Sequence, residues 1–204
     1  MLKKIALVAL MGLSASAMAG EWQVKVGASS LAPSEDKNVL ADGGLTGVKA
    51  SQEYGFTPSI EYFFNDNISA ELLLATPFKH DVTAEGTKIA SFKHLPPTIT
   101  AKYNFVNSSN FTPYVGLGAT VVIPFSEKIA GDGVKLDADV AYGLAGQIGF
   151  NFKPADAKNW GVFADVRYAD VKTDLTLEAE GVKVGIGELE VNPWVYTVGY
   201  SYKF

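Results

Sequence analysis

The chain has 204 residues, 48% of them hydrophobic, with 22 acidic against 17 basic side chains, no cysteine and a formal net charge of −5. The lack of cysteine leaves out thiol and disulfide chemistry, and the acidic balance argues against nucleic acid, which needs clustered lysine and arginine. Twenty glycines and frequent turn signals favour an all-β chain over a helical one.

The chain opens with Met1-Leu2-Lys3-Lys4, an apolar run over residues 5–13 and the small-residue stretch Ser14-Ala15-Ser16-Ala17-Met18-Ala19. This is the layout of an export signal, and Ala17-Met18-Ala19 fits an A-x-A cleavage site. Residues 1–19 are expected to be a cleaved leader and residues 20–204 a single barrel domain. An uncleaved anchor is the alternative, but the apolar run falls short of the roughly 20 residues of a spanning helix. Without Lys3 and Lys4 the mature chain keeps 15 basic and 22 acidic residues, a balance of −7. No later segment is long and apolar enough for a transmembrane helix, so any crossing must use strands of a closed barrel.

Strict alternation then recurs along the chain. Trp22, Val24, Val26 and Ala28 alternate with Gln23, Lys25, Gly27 and Ser29. After a long polar stretch, Tyr54, Phe56, Ile60, Tyr62 and Phe64 alternate with Gly55, Thr57, Ser59, Glu61 and Phe63, ending at the turn signal Asn65-Asp66-Asn67. The third strand sets Ile68, Ala70, Leu72, Leu74 and Phe78 against Ser69, Glu71, Leu73, Ala75 and Pro77. The fourth sets Leu95, Pro97, Ile99, Ala101, Tyr103 and Phe105 against Pro96, Thr98, Thr100, Lys102 and Asn104. In the fifth, Val115, Leu117, Ala119, Val121 and Ile123 oppose Tyr114, Gly116, Gly118 and Thr120. In the sixth, Val140, Tyr142, Leu144, Ile148, Phe150 and Phe152 oppose Asp139, Ala141, Gly143, Ala145, Gln147 and Gly149. The seventh sets Trp160, Val162, Ala164, Val166 and Tyr168 against Gly161, Phe163, Asp165 and Arg167. In the last, Trp194, Tyr196, Val198, Tyr200, Tyr202 and Phe204 share one face, and Pro193, Val195, Thr197, Gly199, Ser201 and Lys203 lie on the other.

The bulky face is apolar on every strand, and on the last it carries aromatic residues at both ends, as lipid-facing strands do. The connections alternate in length, roughly twenty, three, thirteen, five, twelve, seven and seventeen residues, the pattern of long extracellular loops and short periplasmic turns. The expected fold is therefore all-β, an eight-stranded antiparallel transmembrane β-barrel with both termini on the periplasmic side. A soluble lipocalin-like barrel is the alternative, since Gly20-Glu21-Trp22 mimics a G-x-W start, but it would need a polar exterior.

The segment Ala70-Glu71-Leu72-Leu73-Leu74-Ala75-Thr76-Pro77-Phe78-Lys79-His80, followed by His94-Leu95-Pro96-Pro97-Thr98, resembles the OmpW family of small outer-membrane barrels. Pro113-Tyr114-Val115-Gly116-Leu117-Gly118, the run Asp165-Val166-Arg167-Tyr168-Ala169-Asp170-Val171-Lys172-Thr173, and the ending from Asn192-Pro193-Trp194-Val195 to Tyr202-Lys203-Phe204 carry the same resemblance. It implies a barrel in the outer membrane of a Gram-negative bacterium, with a narrow, largely apolar lumen that passes small hydrophobic molecules. By the resemblance, Leu73 stands where the family narrows its lumen. Trp194, Tyr200, Tyr202 and Phe204 resemble the terminal signal read by the barrel-assembly machinery.

The inward faces contain many small residues, which leave room, and Leu73, Phe63 and Phe163, which either form apolar constrictions or simply fill the barrel. Six inward charges oppose free passage: Lys25, Glu61, Glu71, Lys102, Asp165 and Arg167. Three acids balance three bases, so they are expected to pair across the lumen and plug its periplasmic half. Arg167 stands where the family resemblance leads to an apolar or aromatic lumen residue, which puts a continuous hydrophobic channel in doubt. Pro96 and Pro97 in succession donate no ladder hydrogen bonds, so they either open the wall sideways into lipid or form a bulge that curves the strand.

His80 and His94 flank the second long connection without a matched carboxylate set, so no metal or other cofactor is expected. Ser91 near His94 is the one pair that would suit a lipid-modifying hydrolase or acyltransferase, and it lacks a third orienting group. The chain is expected not to be an enzyme. The remaining alternative is a structural or partner-binding barrel with a plugged lumen. The expected partners of the chain are outer-membrane lipid, small hydrophobic solutes and, during biogenesis, the assembly machinery; closure removes sheet edges, so a monomer is expected.

Overall fold

The computed structural model describes residues 21–32, 49–50, 52–84, 87–129, 134–138, 140–179, 182–190 and 192–204. In chain order the strands are β1 (Glu21–Ala32), β2 (Lys49–Ala50), β3 (Glu53–Phe63), β4 (Ile68–Leu73), β5 (Phe78–Ala84), β6 (Thr87–Leu95), β7 (Thr98–Asn104), β8 (Phe111–Ile129), β9 (Val134–Ala138), β10 (Ala141–Phe152), β11 (Trp160–Ala179), β12 (Val182–Glu190) and β13 (Trp194–Lys203). Eight of them form a closed antiparallel ring in the order β1, β3, β4, β7, β8, β10, β11, β13. The ring shuts where β13 returns to β1, from Gln23 opposite Lys203 to Ala32 opposite Trp194, with the Phe204 N–H donating to the Trp22 carbonyl at 2.8 Å. Closure gives each of these eight strands a partner on both sides.

Alternation decides which face each side chain takes. Outward residues are strongly exposed, Leu117 and Leu144 each at 77%, whereas inward Lys25 and Glu61 are at 0%. This is the reverse of a soluble barrel, in which an apolar exterior would face water. Aromatic pairs gather at the short-turn end, among them Trp22 with Tyr62 and Tyr202 with Phe204, at ring-centre distances of 4.8 and 5.0 Å. At the other end Tyr168 and Trp194 pair at 5.0 Å. Asparagines close the short turns: Asn65 Oδ1 accepts from the backbone N–H groups of Asn67 and Ile68 at 2.9 and 2.8 Å. Asn192, which leads into β13, takes a φ of 34°, a left-handed conformation that asparagine tolerates, and its Oδ1 accepts from the Val171 N–H at 3.1 Å.

Two findings differ from the sequence reading. The backbone of the long connections is itself strand-paired: β5 pairs with β6, and β11 runs on beyond the barrel to pair with β9 and β12. Ladder bonds satisfy the backbone there although side-chain alternation is weak. The second difference is Phe78, which the alternation placed outward with Leu72 and Leu74. Residues 74–77 leave the strand conformation, so the parity slips, and Phe78 lies inside at 3% exposure.

Candidate functional site: the lumen and the wall between β4 and β7

All six charged side chains singled out from the sequence lie inside the barrel, each at 5% exposure or less. Lys25 on β1 contacts Glu61 on β3 at 2.6 Å and Glu71 on β4 at 3.5 Å. Lys102 on β7 reaches the same two carboxylates at 2.9 and 3.2 Å. Arg167 on β11 bridges Asp165 at 3.0 Å and Glu71 at 3.3 Å. β4 and β11 stand four places apart in a ring of eight, so the contact between Glu71 and Arg167 spans the lumen from wall to opposite wall.

Neutral groups complete this band. Ser59 Oγ donates to Glu71 at 2.6 Å and Ser69 Oγ to Glu61 at 2.5 Å. Gln147 on β10 accepts from Arg167 Nε at 2.5 Å and donates to Glu71 at 3.2 Å. Tyr114 on β8 donates its hydroxyl to Asp165 at 3.1 Å, and its ring lies under the Lys102 ammonium, 3.7 Å from Nζ to the ring centre. Buried charge is tolerated in this way only where opposite charges and hydrogen bonds surround it. Sequence reasoning missed Tyr114 and Gln147 as members of the band. Their inward parity was legible, but the partner across the lumen depends on the stagger of the ring.

Phe163 packs beside this band, its ring centre 5.1 Å from Lys25 Nζ, and is 2% exposed. Phe63 lies nearer the short-turn end, where Lys203 Nζ is 4.2 Å from its ring centre. Leu73 sits at the other side of the band, towards the long connections, with Leu31, Phe78, Ala141 and Val171 also buried in that half. Hydroxyl groups line the wall between: Ser29 is 2.6 Å from Thr57 and 2.8 Å from Thr197, and Thr98 is 2.9 Å from Thr120. The inner face is thus ionic in its middle and mixed apolar and hydroxyl beyond. Trp194, Tyr200, Tyr202 and Phe204 all point outward.

Pro96 and Pro97 lie between β6 and β7. The ladder joins Leu73 to Thr98 and resumes with Phe78 opposite His94. Between these points residues 74–77 turn to the other neighbour, the Leu74 N–H donating to Pro58 at 2.9 Å and the Thr76 N–H to Phe56 at 2.8 Å. The Pro97 carbonyl accepts from the Val121 N–H at 3.0 Å on its own far side. No ladder therefore joins residues 74–77 to residues 95–97. The Phe78 ring closes the upper border, 5.9 Å from the His94 ring, and occupies the space that a Cβ on Gly55 would take. His94 is buried there. The side chains of His80 and Ser91, the other members of the metal and hydrolase pairs, lie outside the described residues. Among the described residues no group of three acidic, His or Cys side chains would hold a metal.

Comparison with known proteins follows the same plan. Outer membrane protein W of Vibrio cholerae is 35% identical over 91% of this chain and 89% of its own. The crystal structure of the outer membrane protein OprG from Pseudomonas aeruginosa superposes with a TM-score of 0.77 at 29% identity, covering 91% of this chain and 96% of that one. Outer membrane protein AlkL, solved by solid-state NMR in DMPC bilayers, superposes with a TM-score of 0.69 at 26% identity over 94% and 93% of the two chains. These relatives are outer-membrane proteins of Gram-negative bacteria. With an eight-stranded ring, an apolar exterior and a match of the family profile from residue 18 to residue 204, the chain belongs to the OmpW family.

Proposed function

We propose that this outer-membrane barrel passes small hydrophobic molecules from the cell exterior into the bilayer through the gap between β4 and β7. The observation that carries this reading is the ladder interruption between the Leu73–Thr98 and Phe78–His94 pairs, which lies on the outer side of the ionic band. An apolar solute that reaches Leu73 meets paired charges ahead of it, and moving through them would disturb a balanced, desolvated cluster. Sideways it meets Leu74, Leu95, Pro96 and Pro97, with lipid beyond. Leu73 narrows the route, Phe63 and Phe163 fill the closed periplasmic half, and Lys25, Glu61, Glu71, Lys102, Asp165 and Arg167 bar through-passage.

The chain's surroundings in this proposal are outer-membrane lipid and the solutes themselves, with no cofactor and no chemical turnover. Export uses the leader cleaved after Ala19, beside the start of the family match at residue 18. Trp194, Tyr200, Tyr202 and Phe204 present the outward aromatic face to the assembly machinery, and the barrel acts as a monomer.

The test is flux into liposomes. The refolded barrel should admit a small apolar solute and exclude a polar one of similar size, and Pro96→Val with Pro97→Val should remove most of the apolar flux while the folded barrel keeps its heat-modifiable mobility. Unchanged flux in that variant would sink the lateral route. The ionic band also favours a second reading, a plugged barrel whose extracellular connections bind a partner; absence of flux for both solutes from a folded barrel would select it.

A further inference from the structure

The outer wall carries a shallow furrow of about 770 Å³ on the side away from β1 and β3. Its first row follows the ladder across five strands: Ala101 pairs with Leu117, Leu117 with Gly146, Gly146 with Tyr168, and Tyr168 with Trp194. A second row, two residues nearer the periplasm, runs from Ile68 through Tyr103 and Ile148. Barrel strands tilt by roughly 35–45°, so such rows run obliquely across the bilayer. One end is the Tyr168–Trp194 ring pair at the outer end of the barrel; the other is Ile68, directly after the periplasmic turn. Five strand spacings separate the ends, about 24 Å at the usual separation of strands.

Gly146 is the second observation. Of the glycines in the barrel wall it alone, among those described, has room: a Cβ there would meet only Leu117 Cδ2, at 3.8 Å, whereas at its neighbour Gly116 it would meet Gln147 Cγ at 2.8 Å. Neither a positive φ nor close packing calls for glycine at position 146. A glycine within a strand weakens it and often marks a bulge, a bend or a place where a ligand or another backbone approaches, and the ladders on both sides of Gly146 run without a bulge. On a lipid-facing strand the favoured choice is a large or β-branched apolar residue. Here the side chain is missing in the middle of an apolar furrow.

We infer that the furrow is a lipid site, holding one acyl chain of an outer-leaflet lipid with its carboxyl end at Tyr168 and Trp194 and its methyl end towards Tyr103 and Ile68. The bilayer supplies the occupant, since the whole row is outward on a membrane barrel, and the aromatic pair places the head end at the outer interface, where such rings sit. The site is separate from the gap at Pro96 and Pro97 and does not depend on what that gap passes.

The experiment uses the full barrel in bilayers containing phospholipid with a diazirine on one acyl chain, followed by irradiation and peptide mapping. A diazirine near the carboxyl end should label Tyr168 and Trp194, one at the chain terminus should label Tyr103 and Ile68, and both should exceed labelling of Val26 and Phe56 on the opposite wall. Gly146→Leu should reduce furrow labelling by roughly tenfold, the loss of about ten close carbon–carbon contacts of the chain, and leave Val26 and Phe56 unchanged. Heat-modifiable mobility reports folding of that variant; if it fails to fold, Ala101→Leu fills the same row. Even labelling around the barrel, or no effect of the filling variant, would overturn the inference. A reversed order of labelling would assign the chain to the inner leaflet and overturn the outer-leaflet source, and disulfide-linked barrels from Gly146→Cys would mean that a second copy covers the furrow instead.

Discussion

The middle of the lumen and the wall beside Pro96 and Pro97 are built from the same alternating strands, yet they solve opposite problems. In the middle, every inward charge meets an opposite one, the ladders are continuous, and Glu71 and Arg167 touch from opposite walls at 3.3 Å. A few residues further out, between β4 and β7, the ladder lapses and the neighbouring inward side chains are Leu73 and Phe78. Backbone groups freed by the prolines find partners on their outer sides, as the Pro97 carbonyl does with the Val121 N–H. The comparison shows that charges can pair across the axis of a barrel while the backbone ladder of its wall is interrupted locally, because pairing across the lumen is made by side chains and pairing along the wall by backbone donors.

Breaking the sealed region should have the largest effect. Glu71→Ala leaves Lys25, Lys102 and Arg167 facing only Glu61 and Asp165, and urea unfolding from lipid vesicles should show a loss of about 3–5 kcal/mol. Removing Arg167 together with the carboxylate it bridges, Asp165→Leu with Arg167→Leu, leaves Lys25 and Lys102 balanced by Glu61 and Glu71. It should unfold within about 2 kcal/mol of the parent, because apolar replacement of a complete buried pair is often close to neutral. Planar-bilayer recordings of the same pair variant should show more ion conductance than the parent; an equal conductance would mean that Lys25, Lys102, Glu61 and Glu71 suffice to block the lumen.

On the loosened side the effects are smaller in stability. Gly55→Val puts a side chain where the Phe78 ring lies and should cost about 1–3 kcal/mol by overpacking, with a shift in apolar flux because the border of the gap moves. The smallest change returns to the ionic band. Tyr114→Phe removes the hydroxyl that Asp165 accepts but keeps the ring under Lys102, and should cost about 1 kcal/mol in the same unfolding assay. A loss much above that would assign the hydroxyl, rather than the ring, the main part in holding the band.

Much of this architecture was legible one strand at a time. Side chains alternate on a strand whatever its partner, so the inward set from Gln23 to Ser201 and the outward aromatic set from Trp22 to Phe204 could be read directly. Phe78 shows where that reading stops, since alternation holds only while the chain stays extended, and residues 74–77 do not. Pro96 and Pro97 announced a weak ladder, because a missing N–H is a property of the residue itself.

What the sequence by itself determined, then, is the face each residue takes, the equal number of inward acids and bases, and the place where donors are missing. Only the tertiary structure decided which charges meet: Glu71 faces Glu61 along one ladder but touches Arg167 across the whole lumen. It also decided that Tyr114 and Gln147 complete the band, and that Ala101, Leu117, Gly146, Tyr168 and Trp194 line up in one oblique row. The reason is that parity is local, whereas stagger and closure are properties of the ring, fixed only when the last strand pairs with the first.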